Sequence, residues 1–198
     1  VTLLPSDTSI PYVAFVQNGQ ADLAMLDPNG PNQARMINAI KLVRDMSGWK
    51  KGDKRGFACH FSFNTCVAVV ADITVTDDTS VHVNKLFMAV ECGVAINPDV
   101  IKAQMEGGAG FALTAIMRNE ITLADGEVEQ QNFPDYELLR NGEMPAVEVA
   151  IVKSNNAPTG VGEPGVPPTG PALANAIFAQ TGKRIFDLPM TKAGFEFV

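Results

Sequence analysis

Basic residues are scarce: 15 Lys and Arg stand against 22 Asp and Glu in 198 residues, a net charge of −7. Affinity for a phosphate backbone needs clustered cations. Here they are mostly single, which argues against a nucleic-acid partner. Long apolar runs are also missing. None approaches the ~20 residues of a membrane span, and Val1–Leu4 is too short for the apolar core of a signal peptide, so the chain as given reads as soluble. Only three cysteines occur, Cys59, Cys66 and Cys92. An odd, scattered set makes neither a disulfide framework nor a four-thiolate zinc or iron–sulfur site. It fits small buried apolar side chains. The two histidines, His60 and His82, fall in strand-like segments without converging partners, so no metal ligand is assigned. A G-x-x-x-x-G-K-[ST] phosphate loop is absent.

What is present is a globular composition, 46% hydrophobic and 19% charged, long enough for one large or two small domains. Residues 1–31 hold one apolar patch, PYVAFV, and a turn signal, DPNGPN (27–32), and have no assigned role. Asn32 is a candidate cap for a helix over 34–47, where Met36, Ile37, Ile40, Val43 and Met46 recur at three- and four-residue spacings. Gly48 stops it. After the polar linker KKGDKRG (50–56) the period falls to two. FACHFSFNTCVAVVADITV and VHVNKLFMAVECGVAI read as long strands joined at TDDTS (76–80). A second hairpin is expected around Ala124–Gly126, and PAVEVAIVKS (145–154) alternates as a further strand with Val147, Val149 and Ile151 on one face.

Between these lies INPDVIKAQMEGGAGFALTAIM. Asn97 suits an N-cap, Pro98 the first helical position and Asp99 the positive helix end. Gly107, Gly108 and Gly110 inside the helix each cost up to about 1 kcal/mol relative to Ala. They imply close approach by another element or by a ligand. The expected class is α+β: a mainly antiparallel sheet built from hairpins, with packed helices.

The most unusual stretch is TGVGEPGVPPTGPALANAIFAQTGKR (159–184). Thr169 is a candidate cap for a helix from Gly170, with Leu173, Ala174, Ile177 and Phe178 as its buried stripe and Gly182 as its end. Ahead of it Pro164, Pro167 and Pro168 fix φ, while Gly160, Gly162 and Gly165 bare the backbone on both sides of Glu163. Such a loop suits a carboxylate held as a general base. It equally suits a surface turn with a solvated glutamate. A polyproline ligand is a third reading of VPPTGP.

GVGEPGVPPTGPALANAIFAQTGKRIFDLPM closely resembles the C-terminal signature of the molybdenum-cofactor-binding subunit of the xanthine dehydrogenase and aldehyde oxidase family, nearest the isoquinoline 1-oxidoreductase beta-subunit type. VECGVAINPDVIKAQMEGG (90–108), EITLADGEVEQQNFPDYELLR (120–140) and PAVEVAIV (145–152) match in the same order. The resemblance implies that 32–198 is the C-terminal portion of a molybdopterin-binding domain, within a subunit several times longer. It implies an oxidoreductase that hydroxylates aldehydes or N-heterocycles, with water-derived oxygen and hydride passing to the molybdenum centre. Glu163 matches the active-site base, and Gln104 a glutamine that binds the pterin. Gly107, Gly108 and Gly162 would admit the cofactor, as molybdopterin or its cytosine dinucleotide form. Implied partners are the missing N-terminal half of the subunit and an iron–sulfur subunit carrying the 2Fe-2S clusters. A catalytically inactive structural or assembly subunit of a larger complex is the competing expectation.

Overall fold

A computed structural model describes residues 32–198, together with the backbone of two short parallel strands, β1 (Leu3–Pro5) and β2 (Leu23–Met25). The PYVAFV patch and most of the DPNGPN turn lie outside the described residues.

The described part is a three-layer α+β arrangement. Its sheet runs in the order β3 (Gly56–Ser62), β4 (Thr65–Thr76), β5 (Ser80–Glu91), β8 (Ala146–Ile151), with β9 (Glu196–Phe197) also pairing β5. The β3–β4 and β4–β5 pairs are antiparallel; β8 and β9 join β5 in parallel. Period-two alternation divides the side chains between two cores. Cys66, Ala68 and Val70 pack on one side under Met36, Ala39 and Val43 of α1 (Gln33–Ser47). Val67, Val69 and Ala71 pack on the other under α2 (Pro98–Met117) and α3 (Val166–Thr181). Because both faces of β4 are covered, CVAVVA reads as a continuous apolar run.

The first long apolar run is not one strand as expected. It is two, β3 and β4, folded back at Phe63 and Asn64, both with positive φ (53° and 58°). Asn tolerates that conformation; Phe rarely adopts it, and it hides the turn in an alternating pattern. The second hairpin forms where expected: β6 (Leu123–Ala124) and β7 (Glu127–Val128) flank Asp125–Gly126. Gly48 ends α1 in the left-handed region (φ 68°), but Asn32 makes no side-chain cap bond. Asn97 does cap α2, its Oδ1 accepting from the Val100 amide at 3.2 Å.

The start of α3 is corrected by four residues, from Gly170 to Val166. Pro167 and Pro168 fall in the first turn, where amides lack intrahelical acceptors anyway. Thr169 is therefore no cap: it is fully buried inside the helix, its hydroxyl donating to the Gly165 carbonyl at 2.8 Å. Pro164, Pro168 and Pro171 are buried, which removes the polyproline-ligand reading. Where the β4–β5 register slips between Asp72 and Ile73, the Gln180 side chain of α3 accepts from Val75 N (3.1 Å) and donates to Ile73 O (2.7 Å). It thus pairs backbone groups near the irregularity.

Helix α3 lies so close to β3 that a methyl on Gly56 would overlap the Ala172 carbonyl and the Ala176 amide. Gly56→Ala must push the helix off the sheet. We expect a loss of about 1–3 kcal/mol, the usual cost of overpacking, read as a lowered urea midpoint; an unchanged midpoint would show that α3 is not seated there.

Candidate active-site wall

Glu163 sits between the sheet and the start of α3, on a segment tied down from several sides. The Thr159 amide donates to Cys92 O (2.9 Å) and the Gly160 amide to Phe63 O (3.2 Å). Thr65 on β4 bonds both the Thr159 hydroxyl and the Gly160 carbonyl, each at 2.7 Å. Downstream the Val166 amide donates to Glu163 O at 3.0 Å, closing the turn into the helix. The prolines are thus only part of what fixes the loop. The Thr65 clamp was not anticipated, since it joins residues 94 apart in sequence.

Helix α2 lies along this loop at helical spacing. Gln104 Nε2 donates to Gly162 O at 2.9 Å. One position on, Met105 lies against Gly165, where a Cβ would meet its Sδ at 3.4 Å. A turn further, Gly108 faces Val166, whose Cγ2 would lie 3.5 Å from a Cβ added there. A Cβ on Gly108 would make only ordinary contact with the start of α3, whereas one on Gly107 or Gly162 would meet nothing within 4 Å. Gly110 faces the Met144 sulfur. Glu163, Gly162, Gln104 and Gly107 are all exposed, and the Gln104–Gly162 bond brings the loop and this face of α2 together. Prolines at the second and third helical positions, Pro167 and Pro168, carry no N–H, so the start of this helix is a poor anion cradle.

The same face of α2 is unusually apolar. Val100, Ala103, Gly107 and Phe111 are exposed at three- and four-residue steps around Gln104, and Ile96 precedes them at 77% exposure. Next to it a cavity of about 220 Å³ is lined by Gly107, Gly110, Phe111, Leu138 and Met144 among others. Another, of about 340 Å³, opens between α2 and α3 beside Pro167, Phe186 and Leu188. It contains neither Glu163 nor Gln104 in its lining.

Arg118 donates to Glu143 at 2.7 Å, and the Arg140 amide to the same oxygen at 2.7 Å, docking the 137–144 segment at the end of α2. The Arg118 bond is the main reason the Glu143 carboxyl falls to about 2. A lowered value means that the contact is complete above the ordinary carboxyl range and is lost as pH falls toward about 2. An NMR titration of Glu143 is expected to show that low midpoint; a midpoint near 4.5, the ordinary value, would mean an undocked segment.

The cysteines behave as buried apolar side chains. Cys66 and Cys92 are buried, and burial pushes the Cys66 thiol up to about 11 and raises that of Cys92. Burial alone lowers His60, on β3. Among the described residues no group of three or more His, Cys, Asp or Glu could hold a metal ion.

Residues 26–145 match the model of the molybdopterin cofactor-binding domain. The chain belongs to that family. The beta subunit of isoquinoline 1-oxidoreductase from Brevundimonas diminuta is 33% identical over 162 residues, which are 78% of this chain and 21% of that protein. The xanthine dehydrogenase molybdenum-binding subunit of Escherichia coli O157:H7 is 28% identical over 177 residues, 86% of this chain and 22% of that one. The crystal structure of quinoline 2-oxidoreductase from Pseudomonas putida 86 shares the fold, with a TM-score of 0.57 and 20% identity over 64% of this chain and 17% of that one. This molybdopterin-binding domain is thus homologous to subunits of xanthine dehydrogenase and aldehyde oxidoreductase family oxidoreductases. It spans only 21% and 22% of the lengths of the first two relatives.

Proposed function

We propose that this chain forms one wall of the active site of a molybdenum hydroxylase acting on an aldehyde or N-heterocycle, with Glu163 as the base. The observation that carries this reading is the Gln104–Gly162 hydrogen bond: it joins the helix and the loop to which the resemblance assigns cofactor binding and base catalysis. The residues fit a pterin. Gly107 and Gly162 leave open space where side chains would stand, and Gln104 makes no bond through Oε1 among the described residues. Gln104 and the bare backbone at Gly107 and Gly162 would hold it. When bound, the cofactor supplies water-derived oxygen and accepts the substrate's hydride, in the molybdopterin or cytosine dinucleotide form. Glu163 takes up a proton at a carboxylate oxygen, on a loop whose backbone is held at Thr159 and Gly160 by bonds to Thr65, Phe63 and Cys92.

The remainder of the molybdopterin subunit is the partner that covers the exposed α2 stripe. A row from Ile96 to Phe111 is too apolar to face water over its whole length, and it surrounds Gln104. An iron–sulfur subunit carries the electrons onward from its 2Fe-2S clusters. The test is turnover of aldehydes and N-heterocycles by the complete enzyme in heavy-oxygen water, beside a molybdenum assay. We expect label in the product and stoichiometric metal. Unlabelled product would contradict hydroxylation by water, and absence of molybdenum would instead support an inactive assembly subunit. The 198-residue chain purified alone is expected to retain no pterin.

A further inference from the structure

We propose that Gln104 is a positioning residue for Glu163, holding the orientation of the peptide that precedes it before any cofactor arrives. The proposal rests on Glu163 being the base. The carbonyl that receives the Gln104 Nε2 proton, at 2.9 Å, is that of Gly162. This oxygen and the Glu163 amide belong to one planar peptide unit. Fixing the oxygen therefore fixes the plane from which the Glu163 Cα departs.

The residue on the other side of that plane needs such a restraint. Gly162 has the widest backbone freedom of any residue type, and no atom lies within 4 Å of where its Cβ would be. The neighbouring anchors stop short of it: Thr65 and Phe63 hold Gly160, and the Val166 amide holds the carbonyl of Glu163 itself. Gln104 is a firm post, standing on a helix capped by Asn97 and seated in the core by Ile101 and Met105. Its second N–H and Oε1 remain for the cofactor, so one amide spans both the pterin and the base loop.

Hydrogen exchange over residues 159–166 of the complete subunit, prepared free of cofactor, tests this. Gln104→Ala is expected to speed exchange there roughly 3- to 10-fold, the size set by one net hydrogen bond. Gln104→Glu, which keeps the bulk but presents an acceptor to an acceptor, should do the same. In loaded enzyme, normalised to molybdenum, both should lower kcat by about 10- to 100-fold with KM little changed, as misplacement of a reacting group does. Unaltered loop exchange in both cofactor-free variants would overturn the proposal and leave Gln104 a cofactor ligand alone. Failure of the base assignment would show separately, as retained turnover in Glu163→Gln with the Gln104 effect on loop exchange intact.

Discussion

Glu163→Gln in the complete, molybdenum-loaded subunit is expected to lower kcat by about 10²–10⁴-fold, the usual contribution of a positioned general base, while the metal content stays at the wild-type level. The carboxamide matches the carboxylate in size and leaves the loop's backbone bonds untouched, because the segment is held through Thr159, Gly160, Gly162 and the Glu163 carbonyl. Only the ability to take up a proton is removed. Glu163→Asp keeps that ability but withdraws the carboxylate by one methylene, and a displacement of about 1 Å can cost about 10²-fold. Kinetics normalised to molybdenum separate these from loss of cofactor. Near-wild-type turnover of Glu163→Gln would return Glu163 to a solvated surface glutamate.

The second large effect concerns stability. Glu91, 1% exposed at the end of β5, is paired with Arg35 of α1, and the guanidinium also donates to the Glu91 carbonyl at 3.3 Å. The Gly93 amide, at 3.3 Å from Oε1, is a further bond to the carboxylate. Arg35→Ala leaves a buried carboxylate without its cation and is expected to cost about 3–5 kcal/mol. Replacing both partners by apolar residues of similar volume, Arg35→Met with Glu91→Leu, should cost much less, because no charge is then stranded. Adjacent Cys92 anchors Thr159, so the single variant should also loosen the Glu163 loop. Urea denaturation and hydrogen exchange of β5 and residues 156–163 read both effects. An unchanged midpoint for Arg35→Ala would mean that the pair is not buried in solution.

Local rules carried much of this fold. Asn97-Pro98-Asp99 marks the start of α2, Asp125-Gly126 a hairpin, Gly182 the end of α3, and each of these signals lies within a few residues of its effect. The loop around Glu163 was legible for the same reason, as a glutamate isolated between glycines and prolines. Failures arose where a local rule had a rival. Phe63 occupies a turn conformation that β-favouring aromatics seldom adopt, and Thr169 looks like a cap although prolines can open a helix ahead of it. The contacts that assemble the site were beyond any window: Arg35 meets Glu91 across 56 residues, Gln104 meets Gly162 across 58, and Thr65 meets Thr159 across 94. One signal was available and unused. Val100 and Phe111 fall off the buried stripe of α2, which marks a second apolar face on that helix.

Anomalous scattering at the molybdenum edge from crystals of the complete subunit tests the central claim most directly. The metal should lie within hydrogen-bond reach of the Glu163 carboxylate, directly or through one water, with the pterin against Gln104 and the rest of the subunit over the exposed face of α2. Molybdenum bound elsewhere, with Glu163 open to bulk solvent, would contradict it.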